Sequence, residues 1–524
     1  QPAGDPNQAG YHPYQQGYPP PSGPYAPDVY LANPYLPPPP RKAGPGKKII
    51  AGVAVAAVLA GGAVAAYAYS MLASSGVQPE RVLPATTVAF AKLDLDPAAG
   101  QKIAAYRLSS KFPAISHGAG NLDQEKHALL TQFLDEQTDL NYDTDVKPWL
   151  GDRAAIAAVP DAGGDKGFDP VLALAYTDES KMKAALSKAA RTATDFGYVT
   201  LDGYALISDS QQHAEAVLAG TKRATLAGND HYKSDLKSLH GDQLAVGWAD
   251  LAASVAAMRS GISARTQLKP DELAQLDKLA AKGRIVLGAH ASSDYLEVTA
   301  LSHQAATAGS ARSGGKPVTG TLAGLGADTS AALEISGLGD SLSQTWDQAA
   351  AALGLNQDFQ EIIDETGLKL PDDLKALFGT DITVSVKFPH GMTADPAIAA
   401  QVSTSGADRA LQLLGSLGEP FGFSSETLHP RRTADGYLIS TSPDYDPRPT
   451  AGTPTLGDDP AFQKAVPDRA QASLIGYVNL GALLDSDPET SAKDKADWKH
   501  VGSLGLSAVT TSDGGRMTLR FTTR

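Results

Sequence analysis

The chain contains no cysteine. That absence excludes disulfide staples, thiolate metal sites and a lipid-modified cysteine anchor, so the fold must be held by ordinary apolar cores. Catalytic signatures are missing too. The eleven histidines are scattered without the H-E-x-x-H spacing that sets two imidazoles one helical turn apart, and no G-x-S-x-G elbow is present. Ser180-Lys181-Met182-Lys183 and Ser234-Asp235-Leu236-Lys237 match S-x-x-K formally. Neither S-D-N nor K-T-G accompanies them, and both read as solvated helical faces. The string "AGPGKK" lacks the spacing, the following Ser or Thr and the preceding strand of a phosphate loop. Asp94-Leu95-Asp96 and Asp143-Thr144-Asp145 gather carboxylates without the further oxygen donors, turn glycine and closing glutamate of a calcium loop. Asp96-Pro97 reads instead as a helix cap. Aromatic residues are few, 6% of the 524, and Trp149, Trp248, Trp346 and Trp498 read as core. No catalytic, cofactor-binding or metal-ligating residue is predicted, no cofactor is called for, and the chain reads as a non-enzyme.

Positive charge is also scarce against negative: the formal net charge is −14. The excess lies in the later part, because the first 48 residues hold Arg41, Lys42, Lys47 and Lys48 against Asp5 and Asp28 only. An acidic surface disfavours nucleic acid as a partner, since phosphate backbones need clustered Lys and Arg.

What the sequence does have is one long uncharged run, residues 49–72, directly after those four basic residues. As a helix it would reach about 36 Å, enough to cross a hydrocarbon core of about 30 Å. It is longer than a signal-peptide core and follows a long proline-rich segment, so an uncleaved transmembrane helix is expected, with Ala66-Tyr67-Ala68 as the alternative, a cleavage site. The basic edge keeps the N-terminus cytoplasmic and puts the C-terminal domains outside the cell membrane, single-pass. Gly52 with Ala56, and Ala57 with Gly61, have the four-residue spacing through which two spans could form a homodimer. Residues 1–48 are rich in Pro, Tyr and Gly and poor in aliphatic side chains, which predicts a disordered cytoplasmic tail. The run Pro37 to Pro40 leaves two readings open, a docking motif or a spacer.

Beyond the run the sequence repeats itself. "LPATTVAFAKLDL" from Leu83 is echoed by "LGADTSAALEISGL" from Leu325, and "DVKPWLGDRAAIAAV" from Asp145 by "DLKALFGTDITVSV" from Asp373. "DGYALIS" from Asp202 answers "DGYLIS" from Asp435, and "LAVGWADL" from Leu244 answers "SLIGYVNL" from Ser473. Seven blocks recur in one order, so two copies of one domain are expected, at 77–303 and 321–524, joined by a small, polar linker at 304–320. Asp169-Pro170 should lie over Asp395-Pro396, and Tyr204 over Tyr437. Apolar alternation predicts strands at 88–93, 154–159, 171–176, 204–207, 244–248, 285–289 and 295–301. Helical periodicity appears in "ESKMKAALSKAARTAT" and "PDELAQLDKLAAK", and turn residues at Ser292-Ser293-Asp294 and Ser512-Asp513-Gly514-Gly515. The fold class expected is α+β, two mainly antiparallel sheet domains each covered by helices on one face.

The blocks "VLPATTVAFAKLDLDPAAGQKIAAYRLSSKFP", "DVKPWLGDRAAIAA" and "LAGNDHYKSDLKSL", placed after one apolar run, resemble the bacterial DUF3352 family. The resemblance implies an envelope protein of unassigned function and brings no catalytic residues. The function expected is a membrane-anchored extracytoplasmic binding or scaffolding protein, meeting a protein partner or an apolar ligand outside, in a groove between the copies. The alternative is an envelope hydrolase with an unrecognised site in that same groove.

Overall fold

The computed structural model describes residues 77–94, 99–112, 138, 140–161, 167–193, 195–262, 283–303, 316–346, 363, 366–388, 395–417, 428–511 and 514–524. The tail, the apolar run at 49–72, the Asp96-Pro97 cap and the helix expected at 270–282 lie outside them. Among the described residues no helix is long and apolar enough to cross a membrane.

The first half runs β1 (Ala89–Asp94), α1 (Ala99–Ser110), β2 (Leu150–Pro160), β3 (Phe168–Tyr176), α2 (Glu179–Thr192), β4 (Gly197–Leu201), β5 (Tyr204–Ser208), α3 (Gln211–Arg223), α4 (Asp230–Lys237), β6 (Ala245–Asp250), α5 (Leu251–Ile262), β7 (Arg284–Ala291) and β8 (Tyr295–His303). The second runs β9 (Ala331–Ser336), α6 (Leu338–Gln344), α7 (Asp373–Phe378), β10 (Asp381–Lys387), β11 (Ala397–Ser403), α8 (Ala407–Leu417), β12 (Arg431–Arg432), β13 (Gly436–Ser440), α9 (Pro460–Ala465), β14 (Leu474–Val478), α10 (Leu480–Ser486), α11 (Ala492–Asp497), β15 (Val501–Thr511) and β16 (Gly514–Thr523). Helices and antiparallel strands mix as an α+β fold requires.

The strands form one continuous sheet in the order β12-β13-β11-β10-β9-β14-β15-β16-β8-β7-β6-β1-β2-β3-β5-β4. Read from either outer edge inward the order is the same, and the registers agree. Phe90 lies between Ala157 and Trp248, and Ala332 between Ser385 and Tyr477. Leu174 lies between Ala154 and Ala205, and Val402 between Ile382 and Tyr437. Outside the ladders, the isolated bridge Pro84–Thr225 has its match in Gly326–Thr455. Each bridge is followed by a short 3-10 turn and a helix, α4 or α9, that places an aromatic ring edge-on against the sheet: Tyr232 on Trp248 at 5.6 Å and Phe462 on Tyr477 at 5.2 Å between centroids.

The halves meet edge to edge rather than across a groove. β8 pairs with β16 so that Thr299 faces Thr518 at the centre. The pair at one end, Tyr295 with Thr522, corresponds to the pair at the other, Gly514 with His303. The two strands are therefore related by a local pseudo-two-fold axis. On one face of this seam Arg520 donates to Glu297 (2.8 Å from Nε), donates to the Lys464 carbonyl (3.0 Å) and stacks 4.2 Å above the Tyr295 ring.

These registers correct two expectations. The ladder counterpart of Asp169 is Ala397, since Val159 faces Asp169 as Lys387 faces Ala397, and Asp395 lies before β11 and is exposed. The counterpart of Tyr204 is Gly436, and Tyr437 matches Ala205. Neighbouring residues of a strand point to opposite faces. Tyr204 accordingly packs with Leu226, Tyr232 and Trp248, whereas Tyr437 packs with Ala407 and Ala410 of α8 on the other side.

Helices also cover both faces of the first half, not one. α2 starts at Asp178, whose carboxylate accepts from the Lys181 N–H (3.0 Å), and buries Met182, Ala185, Leu186 and Ala189 on Leu172, Leu174 and Ile207. α3 and α4 bury Val217 and Tyr232 on the opposite face, with Val171, Ala173 and Leu206. In the second half the end of the expected linker is part of the fold: the fully buried Glu334 accepts from the N–H groups of Gly320 and Thr321 (3.1 Å each) and Leu322 (2.9 Å).

Candidate functional site

Among the described residues, the candidates that the sequence offers fall where ordinary structure explains them. Ser180 and Lys183 lie exposed in the first turn of α2, with Lys183 bound to Glu179 (2.7 Å). Ser234 donates to the His231 carbonyl on the outer side of α4. Asp143 is exposed, while Asp145 accepts from Lys188 Nζ (2.8 Å) and the Asn141 N–H (2.9 Å); the Lys188 hydrogen bond holds its pKa below the usual carboxylate value. Trp149 and Trp248 are buried in the two cores of the first half.

A different group converges at one end of β2, β3 and β5. The β2–β3 hairpin pairs Pro160 with Phe168, which brings Asp161, just past β2, close to Asp169 at the start of β3. Ser208 at the end of β5 donates to the Pro170 carbonyl (2.9 Å) and fixes β5 alongside. The next residue is Asp209, and Ser210 then caps α3 by accepting from the His213 N–H (3.1 Å). His213 is thereby turned toward the strand ends. Its Nδ1 lies 2.5 Å from Asp209 Oδ1 and 3.0 Å from Asp169 Oδ1. One donor atom each from Asp161, Asp169 and His213 can be chosen so that all lie within 4.8 Å of one another.

Asp169 is buried, its side chain 5% exposed, and His213 is 22% exposed. Burial alone would push the His213 pKa down. The hydrogen bond that His213 donates to Asp209 and the charges of Asp169, Asp209 and Asp161 outweigh it, and the pKa is raised above the ordinary histidine value. Chemically the cluster offers one imidazole and up to three carboxylates within a small, half-enclosed volume, which suits proton sharing or cation binding.

Sequence reasoning missed this group. Only Asp209 and His213, one helical turn apart, form a local spacing; Asp161 and Asp169 are brought in by the sheet. Among the described residues the second half has no equivalent. Ala397 takes the place of Asp169, Thr441 follows β13 where Asp209 follows β5, and the chain from Thr441 to Thr455 has no helix in the place of α3.

Residues 49–198 match the family model described as "Protein of unknown function (DUF3352)". Over this stretch the chain is similar to the DUF3352 family. The DUF3352 match begins at the apolar run, includes Asp161 and Asp169, and ends before Asp209 and His213. Neither the curated proteins nor the solved structures give a match.

Proposed function

We propose that the chain is a single-pass, membrane-anchored protein of the bacterial envelope whose C-terminal region works outside the membrane as a binding or scaffolding module, with residues 1–48 in the cytoplasm. On this reading residues 77–303 and 321–524 are diverged copies of one domain. The common strand order and the matching registers support the duplication, and the basic-edged run at 49–72 supports the anchor.

The observation that carries the binding role is an apolar strip across the seam, on the face opposite the Glu297–Arg520 pair. From one side it runs Leu333, Gly476, Leu506, Leu519 and Val298; from the other Ala91, Gly247, Leu287, Ala300 and Met517. Leu333, Met517 and Leu519 are 37%, 50% and 40% exposed, at the centre of a sheet where such side chains would ordinarily be covered. Gly247 and Gly476 hold corresponding positions, and at each a neighbouring leucine, Leu287 or Leu506, packs against the bare backbone. A partly exposed apolar strip of this kind is read as an interaction site, here for a protein partner. The polar groups of the seam, Glu297, Arg520 and Tyr295, are engaged with one another, which favours binding over hydrolysis.

The test is photo-crosslinking in living cells from Met517 and from Leu519, with Lys233 on the outer side of α4 as the control position. One protein captured from both strip positions and not from Lys233 is expected. Equal capture from all three, or none from the strip, would remove this surface as the site.

A further inference from the structure

We propose that Asp161, Asp169 and His213, with Asp209 at their side, form a binding site for a divalent transition-metal cation, Zn2+ in the first instance. The donors come from three separate elements, the end of β2, the start of β3 and the first turn of α3, yet their ligating atoms fall within 4.8 Å of one another. Tetrahedral Zn2+ with bonds of about 2.0–2.2 Å holds its donors about 3.3–3.6 Å apart, so side-chain rotations that close the widest separation by about 1 Å seat the ion. Imidazole nitrogen combined with carboxylate oxygen suits Zn2+. Ca2+ takes six to eight oxygen ligands in most sites and gains nothing from the imidazole.

The second half supplies an independent reason to look for a ligand. Its strands stand in the same order and register with Ala397 and Thr441 where the first half has Asp169 and Asp209. The sheet therefore does not need these carboxylates. Gathering a buried Asp169 with Asp161 and Asp209 is unfavourable through like-charge repulsion and desolvation, and a dication at their centre removes both penalties. In the structure His213 Nδ1 stands within hydrogen-bond distance of both Asp209 and Asp169, which share its proton while it carries one. On binding, the cation takes the lone pair of an imidazole nitrogen and of one oxygen from each carboxylate, and the shared proton leaves to solvent.

The experiment uses the full-length protein in mild detergent, stripped with chelator and dialysed against Zn2+ alone at neutral pH. Bound metal is read by elemental analysis and affinity by competition with a chromophoric chelator. One equivalent of Zn2+ per chain is expected. His213→Gln and Asp169→Asn should each weaken binding at least 100-fold. Asp161→Asn, at the better exposed end, should weaken it at least tenfold and serves as the variant least prone to misfold; His240→Gln, on a distant exposed loop, should change nothing. Circular dichroism of each variant separates lost binding from lost folding. Absence of stoichiometric Zn2+ on the folded wild-type chain at 100-micromolar-scale free metal would overturn the site, as would unchanged affinity in folded His213→Gln. Calcium binding at equal strength, indifferent to His213→Gln, would overturn the zinc assignment.

Discussion

Removing one carboxylate tests how the two halves solve the same packing problem with different chemistry. Asp235 of α4 is 1% exposed and accepts from the Trp248 indole N–H (2.8 Å) and from Arg284 Nε (2.7 Å) and Nη2 (3.2 Å). It clamps the helix to β6 and β7 and raises the Arg284 pKa further. At the corresponding places the second half has Ala465, Tyr477 and Ser503, and the Tyr477 hydroxyl hydrogen-bonds Ser503 Oγ at 3.0 Å and reaches Asp459 Oδ2 at 3.5 Å, with no ion pair at the three positions. Asp235→Ala strands a buried indole N–H, worth about 1–3 kcal/mol, and a guanidinium that is only 23% exposed. Breaking such an ion pair costs about 3–5 kcal/mol when the remaining charge is enclosed. Arg284 retains some access to water, so the total expected is about 3–4 kcal/mol. The triple change Asp235→Ala, Arg284→Ser, Trp248→Tyr installs the neutral solution and should be at least about 2 kcal/mol more stable than Asp235→Ala alone, because residues sharing a network are not additive. Urea unfolding of the full-length chain, followed by far-ultraviolet circular dichroism, measures both. A triple variant as unstable as the single, or worse, would show that the clamp is not the unit described here.

Stability should also depend on acid through Asp373 of α7, which accepts from Arg409 Nε (3.0 Å) and Nη2 (2.6 Å). Arg409 holds the Asp373 pKa below the usual carboxylate value. A depressed folded-state pKa means stabilisation that is complete above the unfolded value of about 3.9 and is lost as pH falls through the folded one. Unfolding midpoints measured from pH 6 down to pH 2 should fall more steeply for the wild type than for Asp373→Asn, and parallel curves would refute the pairing. For the membrane arrangement, a tag placed after Arg524 should be digested by protease added to intact, wall-stripped cells; a protected tag would reverse the proposed orientation.

The strands were legible because their apolar residues alternate or run continuously. The segment "VLALAY" of β3 feeds two cores at once, Val171 and Ala173 on one face, Leu172 and Leu174 on the other. What misled was local string similarity. In the first half Asp202 and Gly203, with φ of 46° and 83°, make a two-residue turn and Tyr204 begins the strand opposite Leu201. In the second, Gly436 is already in the strand and the turn lies earlier, so the shared letters D-G-Y are displaced by one residue along the ladder. One residue is enough to send the two tyrosines to opposite faces. The edge-to-edge union had no local sequence signal and the His213 cluster only the Asp209–His213 spacing, since both depend on which strands become neighbours.

The symmetry of the seam bears on how the chain comes together. β8 and β16 are the last strands of their halves, so the first half, made earlier, must wait with an unpaired strand edge until the C-terminal segment arrives to close the ladder. Because Thr299 and Thr518 are counterparts, the edge that waits is nearly complementary to itself. A chain ending after His303 would be expected to pair β8 with β8 of a second molecule about Thr299, converting an internal junction into a dimer contact. The same property makes exchange of the C-terminal strand between two full-length chains the characteristic hazard of this architecture.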